Sequence, residues 1–565
     1  MEDHPIVWPE TTIFLGAGAT SKLKMPTSAA QGNLLFALAQ GKKDDLTLLE
    51  ADPSVQVQAE RTAELLKCLD WEPHCLGDFD DKQLLLLPKL FPNIPDESRR
   101  KNRMIELRRD YDWSALKTAI SIVSGGSQEV PELFIQSLFN FLDVHILGRR
   151  GIKTWRHGGE IFLTPERLTA ARQCLVMFIN HMFACAWYNI VHNMPEVLTP
   201  YKKFTDVLAE LMQEEGEKFW NDSGHDCSVL NKRKFYLFSY SILTTNFEPV
   251  FLWLLYNSHL RKNKTPKYVG SPALPIKLFY DFPNNLAMRE PAEFPGGDLM
   301  PNIWYPANEG SVQRLNDSRH TQDRILRIGK YYSVHGFSNT RLCPYCKKLN
   351  IHVGDSWGDE SMTLFPPGII QDFSWGARAR TGTEEQARER GVSDALQCAF
   401  CGHITEAKDN YMVMQTSFKG GNPAFIEEIT AEALAMLQGT RHIVLLGYSL
   451  PPDDAIWRSI LSAMKERKDR KVYCSVVCGH DGPDRWLRGD ELQNHVNENK
   501  QEDKQGAKAI QNAIDVFGLE NVRAYTAGIP DVFKMGDKKV IKDLLYPHFP
   551  GWDLDCFENG MVVRK

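Results

Sequence analysis

The sequence predicts an α/β protein, a parallel sheet with helices on both faces, interrupted early by a large helical insertion. Three observations carry this. A short β-prone run, Thr11–Leu15, stops at Gly16 and gives way to helical spacing from Ser28 to Gln40, with Ser28 as the expected N-cap. The last third alternates: helical spacing at Ile426–Leu437, Asp454–Arg467 and Lys504–Phe517, and strand patterns at His442–Leu446, Lys471–Val477 and Val522–Tyr525. That alternation calls for parallel strands joined by crossover helices. Between these regions, Asp45–Leu69, Pro131–Leu147, Glu166–His192 and Lys203–Phe219 carry apolar residues at helical spacing, with little strand alternation.

A chain of 565 residues exceeds what one core fills, about 250–300 residues, so several units are expected. Residues 1–40 hold the first strand–turn–helix, and 41–231 form the helical insertion. The sheet resumes over 232–340, with a strand at Phe235–Leu243, a helical pattern from Val250 and a short strand at Lys330–His335. Within it, 262–324 is rich in Pro, Gly and Asn and reads as a long loop. Residues 341–410 carry two cysteine pairs, 411–535 complete the sheet, and 536–565 form a C-terminal tail.

With 43% hydrophobic and 24% charged residues the composition is that of a globular protein, and a net charge of −6 gives no footprint for nucleic acid. The most lipid-like stretch, Cys174 to Val191, has Asn180 and His181 at its centre and is expected to be a buried helix, not a membrane span. No secretory pattern opens the chain, and 12 cysteines without one imply reduced thiols in a cytoplasmic protein. Eight of these (Cys68, Cys75, Cys174, Cys185, Cys227, Cys474, Cys478, Cys556) are scattered and are expected to act as small buried hydrophobes.

Five short motifs carry chemistry. Gly16-Ala17-Gly18-Ala19-Thr20 lies between a strand and a helix, where glycines let a backbone approach a pyrophosphate, although tight glycine turns also serve purely structural ends. Thr244-Thr245-Asn246-Phe247-Glu248 ends a buried strand; Asn246 could orient a water or a ribose hydroxyl, or simply cap the next helix. His335, followed by Gly336, ends another strand and could serve as a base near neutral pH. Cys343-Pro344-Tyr345-Cys346 and Cys398-Ala399-Phe400-Cys401 can each bend two thiolates toward one metal, and together complete a tetrahedral zinc site that leaves no open position. The gap between the pairs is longer than the ~15–20 residues of compact ribbons, so two separate turns with free thiols stay open as an alternative. Finally, Gly447-Tyr448-Ser449-Leu450-Pro451-Pro452-Asp453-Asp454 follows a strand and precedes a helix; Gly447 and Ser449 could meet phosphate or ribose, and Asp453 could be a plain N-cap.

In their order along the chain these motifs resemble the sirtuin superfamily, and within it the sirtuin-like proteins of bacterial antiphage defence. The resemblance covers roughly 11–40 and 235–525; the block at 41–231 has no counterpart in plain sirtuins. It implies a sirtuin-type Rossmann-like fold that binds NAD and breaks its nicotinamide–ribose bond. It places Asn246 and His335 at the catalytic positions. Gly16, Gly18 and Thr20 would hold the pyrophosphate and Gly447 and Ser449 the adenosine side; Ala17, Pro26, Thr245 and Tyr448 would also line the cofactor, and Glu248, where an aspartate is usual, would shift its contact to the carboxamide. The acyl-lysine machinery of deacylases is not recognisable. Lys24-Met25-Pro26-Thr27-Ser28-Ala29 keeps a proline but lacks Asp-Phe-Arg, and Ser417-Phe418-Lys419-Gly420-Gly421 lacks the groove's acid. The resemblance therefore favours NAD hydrolysis over deacylation, ADP-ribosyl transfer or non-catalytic sensing. It further implies a homo- or hetero-oligomer restrained until a partner protein or phage-derived trigger releases it.

Overall fold

Eight strands form the central sheet: β1 Thr11–Leu15, β2 Tyr240–Thr244, β3 Ile276–Asp281, β4 Ile325–Ser333, β5 His442–Leu446, β6 Tyr473–Val477, β7 Trp486–Arg488 and β8 Val522–Tyr525. They lie in the order β7-β8-β6-β5-β1-β2-β4-β3. All pairings are parallel except the edge pair β7–β8. In this computed structural model the described residues are 10–41, 62–71, 76–92, 94–127, 129–130, 134–156, 159–223, 240–264, 276–281, 286–289, 303–304, 325–338, 340–352, 382–390, 395–398, 401–405, 412–413, 424–451, 454–467, 471–479, 482–499, 505–548, 552, 556–558 and 561–563. Most of 262–324, the start of the Phe235–Leu243 strand, the first part of the Asp45–Leu69 helix, Asp453 and Ser417–Gly421 lie outside them. Where 262–324 is described it is not the expected loop: β3 pairs with β4 in the central sheet, and Leu286–Arg289 and Ile303–Trp304 are also strands.

Strands β1, β2, β5 and β6 are buried over their whole length, the mark of parallel strands covered on both faces. Following the chain, β1 leads outward through β2 to β4 and β3, and β5 then begins the other half on the opposite side of β1. The direction of winding therefore reverses between β1 and β5. Ligands of open α/β sheets bind at such a crevice, outside the carboxyl ends of the strands. The arrangement fits the expected Rossmann-like sheet.

The helices are α1 Ser28–Ala39, α2 Asp81–Leu90, α3 Glu97–Asp110, α4 Trp113–Val123, α5 Phe134–Leu147, α6 Pro165–Asn193, α7 Thr199–Ser223, α8 Val250–Lys264, α9 Gly382–Glu389, α10 Ala424–Leu437, α11 Ala455–Lys465, α12 Gly489–Asn499, α13 Gln505–Phe517 and α14 Lys538–Leu545. The cap of α1 is Thr27, whose hydroxyl accepts from the Ala30 amide at 3.2 Å; Ser28, the expected cap, is already inside the helix. Among the described residues of the insertion are helical residues 62–68 and helices α2 to α7, with caps at Asp80, Asp96, Asp112 and Thr164. It grows directly from the first unit, since Phe36 of α1 meets Phe134 of α5 edge-on at 5.7 Å. Helix α6 is long and apolar enough by composition to cross a membrane, but 76% of its apolar stretch is buried inside the fold. The insertion also holds a hairpin, Ile152–Arg156 with Gly159–Leu163, that the helical pattern hides.

The far end of the sheet is sealed by α14, in the segment expected to be a tail. The hydroxyl of Thr11 donates to the Leu545 carbonyl at 2.7 Å, and Arg523, fully buried on β8, pairs with Asp543 at 2.8 Å and donates to Ser475 Oγ at 2.7 Å. Cys68, Cys174, Cys185 and Cys474 are buried as expected, and burial raises their thiol pKa values, to about 12 for Cys68 and Cys185. Cys478 is half-buried and its thiol is also raised to about 12 by desolvation. Cys75 and Cys227 and the side chain of Cys556 lie outside the described residues.

Candidate active site at the reversal point of the sheet

Register places the turns after β1, β2 and β5 side by side, because Leu15 is opposite both Thr244 and Leu446. The turns are locked backbone to backbone. Gly16 N donates to Leu446 O at 3.1 Å, Gly18 N to Gly447 O at 2.9 Å, and Thr245 N to Leu15 O at 3.1 Å. A Cβ on Gly16 or Gly18 would stand 2.6 or 2.8 Å from Gly447 O, and one on Gly447 would stand 2.0 Å from Ala19 N. Gly447 also has φ +62°, a conformation that disfavours side chains. The three glycines are thus required by contact between turns. The Gly16 and Gly18 amides expected to face a pyrophosphate are spent inside the fold, and Ala17 is the exposed residue of the turn.

Asn246 and Glu248 form a buried polar knot under this junction. Asn246 Nδ2 donates to Gly16 O at 3.1 Å and to Glu248 Oε1 at 2.9 Å, so both its hydrogens are engaged and Oδ1 is left as the acceptor. Thr20 Oγ1 also donates to Glu248 Oε1 at 2.9 Å, and the Val250 amide donates to Oε2 at 2.8 Å. Glu248, not Asn246, therefore caps α8. Burial pushes the Glu248 carboxyl up to about 7, against the downward pull of these three donors. Thr245 gives its hydroxyl to Leu15 O at 3.3 Å and acts as a staple between β1 and β2.

His335 reaches the same turn from β4. Its Nδ1 lies 3.1 Å from Thr245 O, a carbonyl that can only accept. The proton therefore sits on Nδ1, and Nε2 is the basic nitrogen. The ring lies 6.0 Å from Phe247, and Ser338 N donates to Phe247 O at 2.8 Å, so the two turns clasp each other. Asn246 and His335 are thus brought to one junction.

The other expected positions fall on either side. The Tyr448 ring turns inward, stacked on Phe14 at 5.9 Å, and its hydroxyl donates to the Asp454 carboxylate. Its side chain is a core element, whereas Ser449 is exposed. The Ser449 carbonyl accepts from Asn512 Nδ2 at 3.0 Å, and Arg458 donates to the Leu450 carbonyl at 3.3 Å. The Asn512 support has no local signature, because Asn512 is remote in sequence and joins the turn only through the packing of α13 on α11. Half-buried Pro26 receives the Gln31 side chain on its carbonyl at 3.2 Å.

The two cysteine pairs come together. The sulfurs of Cys343, Cys346, Cys398 and Cys401 all lie within 4.8 Å of one another, with Cys343–Cys401 at 3.7 Å and Cys346–Cys398 at 3.5 Å. Thiolates at the ~2.3 Å bonds of tetrahedral zinc stand roughly 3.8 Å apart, so the set fits a metal such as zinc. Each pair sits in a turn closed by a residue at positive φ, Lys347 and Gly402, and Tyr345 stacks on His403 across the two turns at 4.4 Å. The first turn hangs from the strand Thr340–Leu342, which follows the His335 turn.

Among known proteins, no family model matches this sequence, and no curated protein matches it.

Proposed function

We propose that the chain is an NAD hydrolase of sirtuin type that cleaves the bond between nicotinamide and ribose, with the four cysteines holding a structural zinc. The observation that supports this most is the pinning of two polar side chains by one junction at the reversal point: Asn246 by Gly16 and Glu248, His335 by Thr245. Departure of nicotinamide builds positive charge on the ribose, and rate then depends on a rigidly held sugar and a water offered to one face. Asn246 Oδ1 accepts a hydrogen bond from that water or from a ribose hydroxyl. His335 Nε2 takes the proton as the water oxygen bonds to the anomeric carbon and the carbon–nitrogen bond breaks. The diphosphate crosses the exposed edge at Ala17, and the adenosine half lies toward Ser449. Uncontrolled NAD loss harms a cell, so the reading includes an oligomer restrained until a partner protein or a phage-derived trigger acts, as the resemblance implies.

Product analysis of NAD incubated with the full chain and no peptide tests this. The wild type is expected to release nicotinamide with ADP-ribose or a cyclic form. His335→Ala should slow it by about 10²–10⁴-fold, the usual worth of a general base. Equal rates in the two proteins remove His335 from the chemistry. Acetyl-peptide-dependent turnover would favour a deacylase instead, and NAD binding without turnover a sensor.

A further inference from the structure

The helical insertion is wired to the back of the His335 turn. Val413 N donates to the His335 carbonyl at 2.9 Å, and the carbonyl of the adjoining Met412 accepts from Arg172 Nη2, on α6, at 2.8 Å. Arg172 is itself fixed from the other side: its Nε donates to Asp143 on α5, and its guanidinium lies 5.4 Å from the Phe139 ring centre. Met412 is fully buried, so the Met412–Val413 peptide is clamped between the insertion and the turn.

His335 is therefore anchored both at its ring and at its main chain. Its ring is tied to Thr245 O and its main chain to Val413. The first belongs to the sheet, whereas the second depends on a segment that the insertion holds down. An arginine suits that task because its rigid fork spans a carboxylate and a carbonyl that lie in different directions; a lysine is a point charge and cannot fix both.

We infer that Arg172 is a positioning residue for His335, acting through Met412–Val413, and that the Asp143–Arg172 pair is the route by which the insertion sets the geometry of the site. Anything that shifts α5 against α6 withdraws the clamp and lets the His335 turn relax, which makes the insertion a control element. This rests on the reading of His335 as the proton acceptor.

The test uses the full chain carrying Arg172→Ala and, as a milder variant, Asp143→Asn, which keeps the side chain's shape. Hydrogen exchange read by mass spectrometry reports the Val413 amide without reference to activity. Arg172→Ala should raise exchange at Val413 by about tenfold or more, while peptides from β1 and β5 keep their protection. Asp143→Asn should fall between it and the wild type. In NAD turnover, Arg172→Ala should lower kcat on the order of ten- to a hundredfold with KM little changed, as a displaced base requires. Unchanged exchange at Val413 in both variants overturns the inference, as does a loss that appears only in KM. If the wild type leaves NAD intact while Val413 still loosens, the hydrolase reading fails and the wiring stands.

Discussion

Glu248 is the residue on which the junction turns, because three donors converge on one buried carboxylate: Thr20 from the turn after β1, and Asn246 and Val250 from its own turn. Its pKa rises from 4.5 to about 7 through desolvation, so at ~1.4 kcal/mol per unit burying the charged form costs roughly 3 kcal/mol. Because the folded state holds this proton more tightly, the stabilisation is present below pH ~4.5 and is lost as pH rises through about 7. Glu248→Gln cannot ionise, so its melting temperature relative to the wild type should climb between pH 5 and pH 8. Parallel melting curves across that range would show that the carboxylate is not protonated more readily in the fold. The sequence marks Glu248 as an acid beside Asn246, but not its bond from Thr20, which is distant in the chain.

At the scale of elements, the lock between the β1 and β5 turns is the feature most open to mutation. Gly447→Ala must place a methyl 2.0 Å from Ala19 N at φ +62°, whereas Gly41→Ala meets a similar φ of +73° with no atom within 4 Å. The control isolates the backbone penalty of about 1–2 kcal/mol. Gly447→Ala should exceed it by at least ~2 kcal/mol in urea unfolding; equal losses would mean that the turns are not in contact. This contact also explains what was legible. Strands β1, β5 and β8 match their apolar runs residue for residue, because a buried parallel strand is a continuous apolar segment bounded by glycine or polar residues. The hairpin at 152–163 and the antiparallel edge β7 leave little trace in the sequence, being short and half-exposed, with Trp155 73% accessible and no clean alternation, and β3 is hidden among the prolines of 262–324. The glycines are visible in the sequence but their partners are not: whether a Gly-x-Gly turn faces a phosphate or another backbone is settled by tertiary packing.

For the whole molecule, the cysteine module and the insertion both attach to the His335 turn, one through the strand Thr340–Leu342 and the other through Val413. The four sulfurs predict one zinc per chain, and a strong chelator should expose the 340–405 region to protease before the sheet melts. A metal-free chain with unaltered digestion would make the cluster a set of free thiols. The central claim is that one sugar ring lies between Asn246 and His335, and a crystal structure of the full chain with ADP-ribose tests it most directly. The account predicts ribose oxygens within about 3 Å of Asn246 Oδ1 and His335 Nε2, with the diphosphate over Ala17. ADP-ribose bound at another surface, or a ribose beyond reach of both side chains, would contradict it.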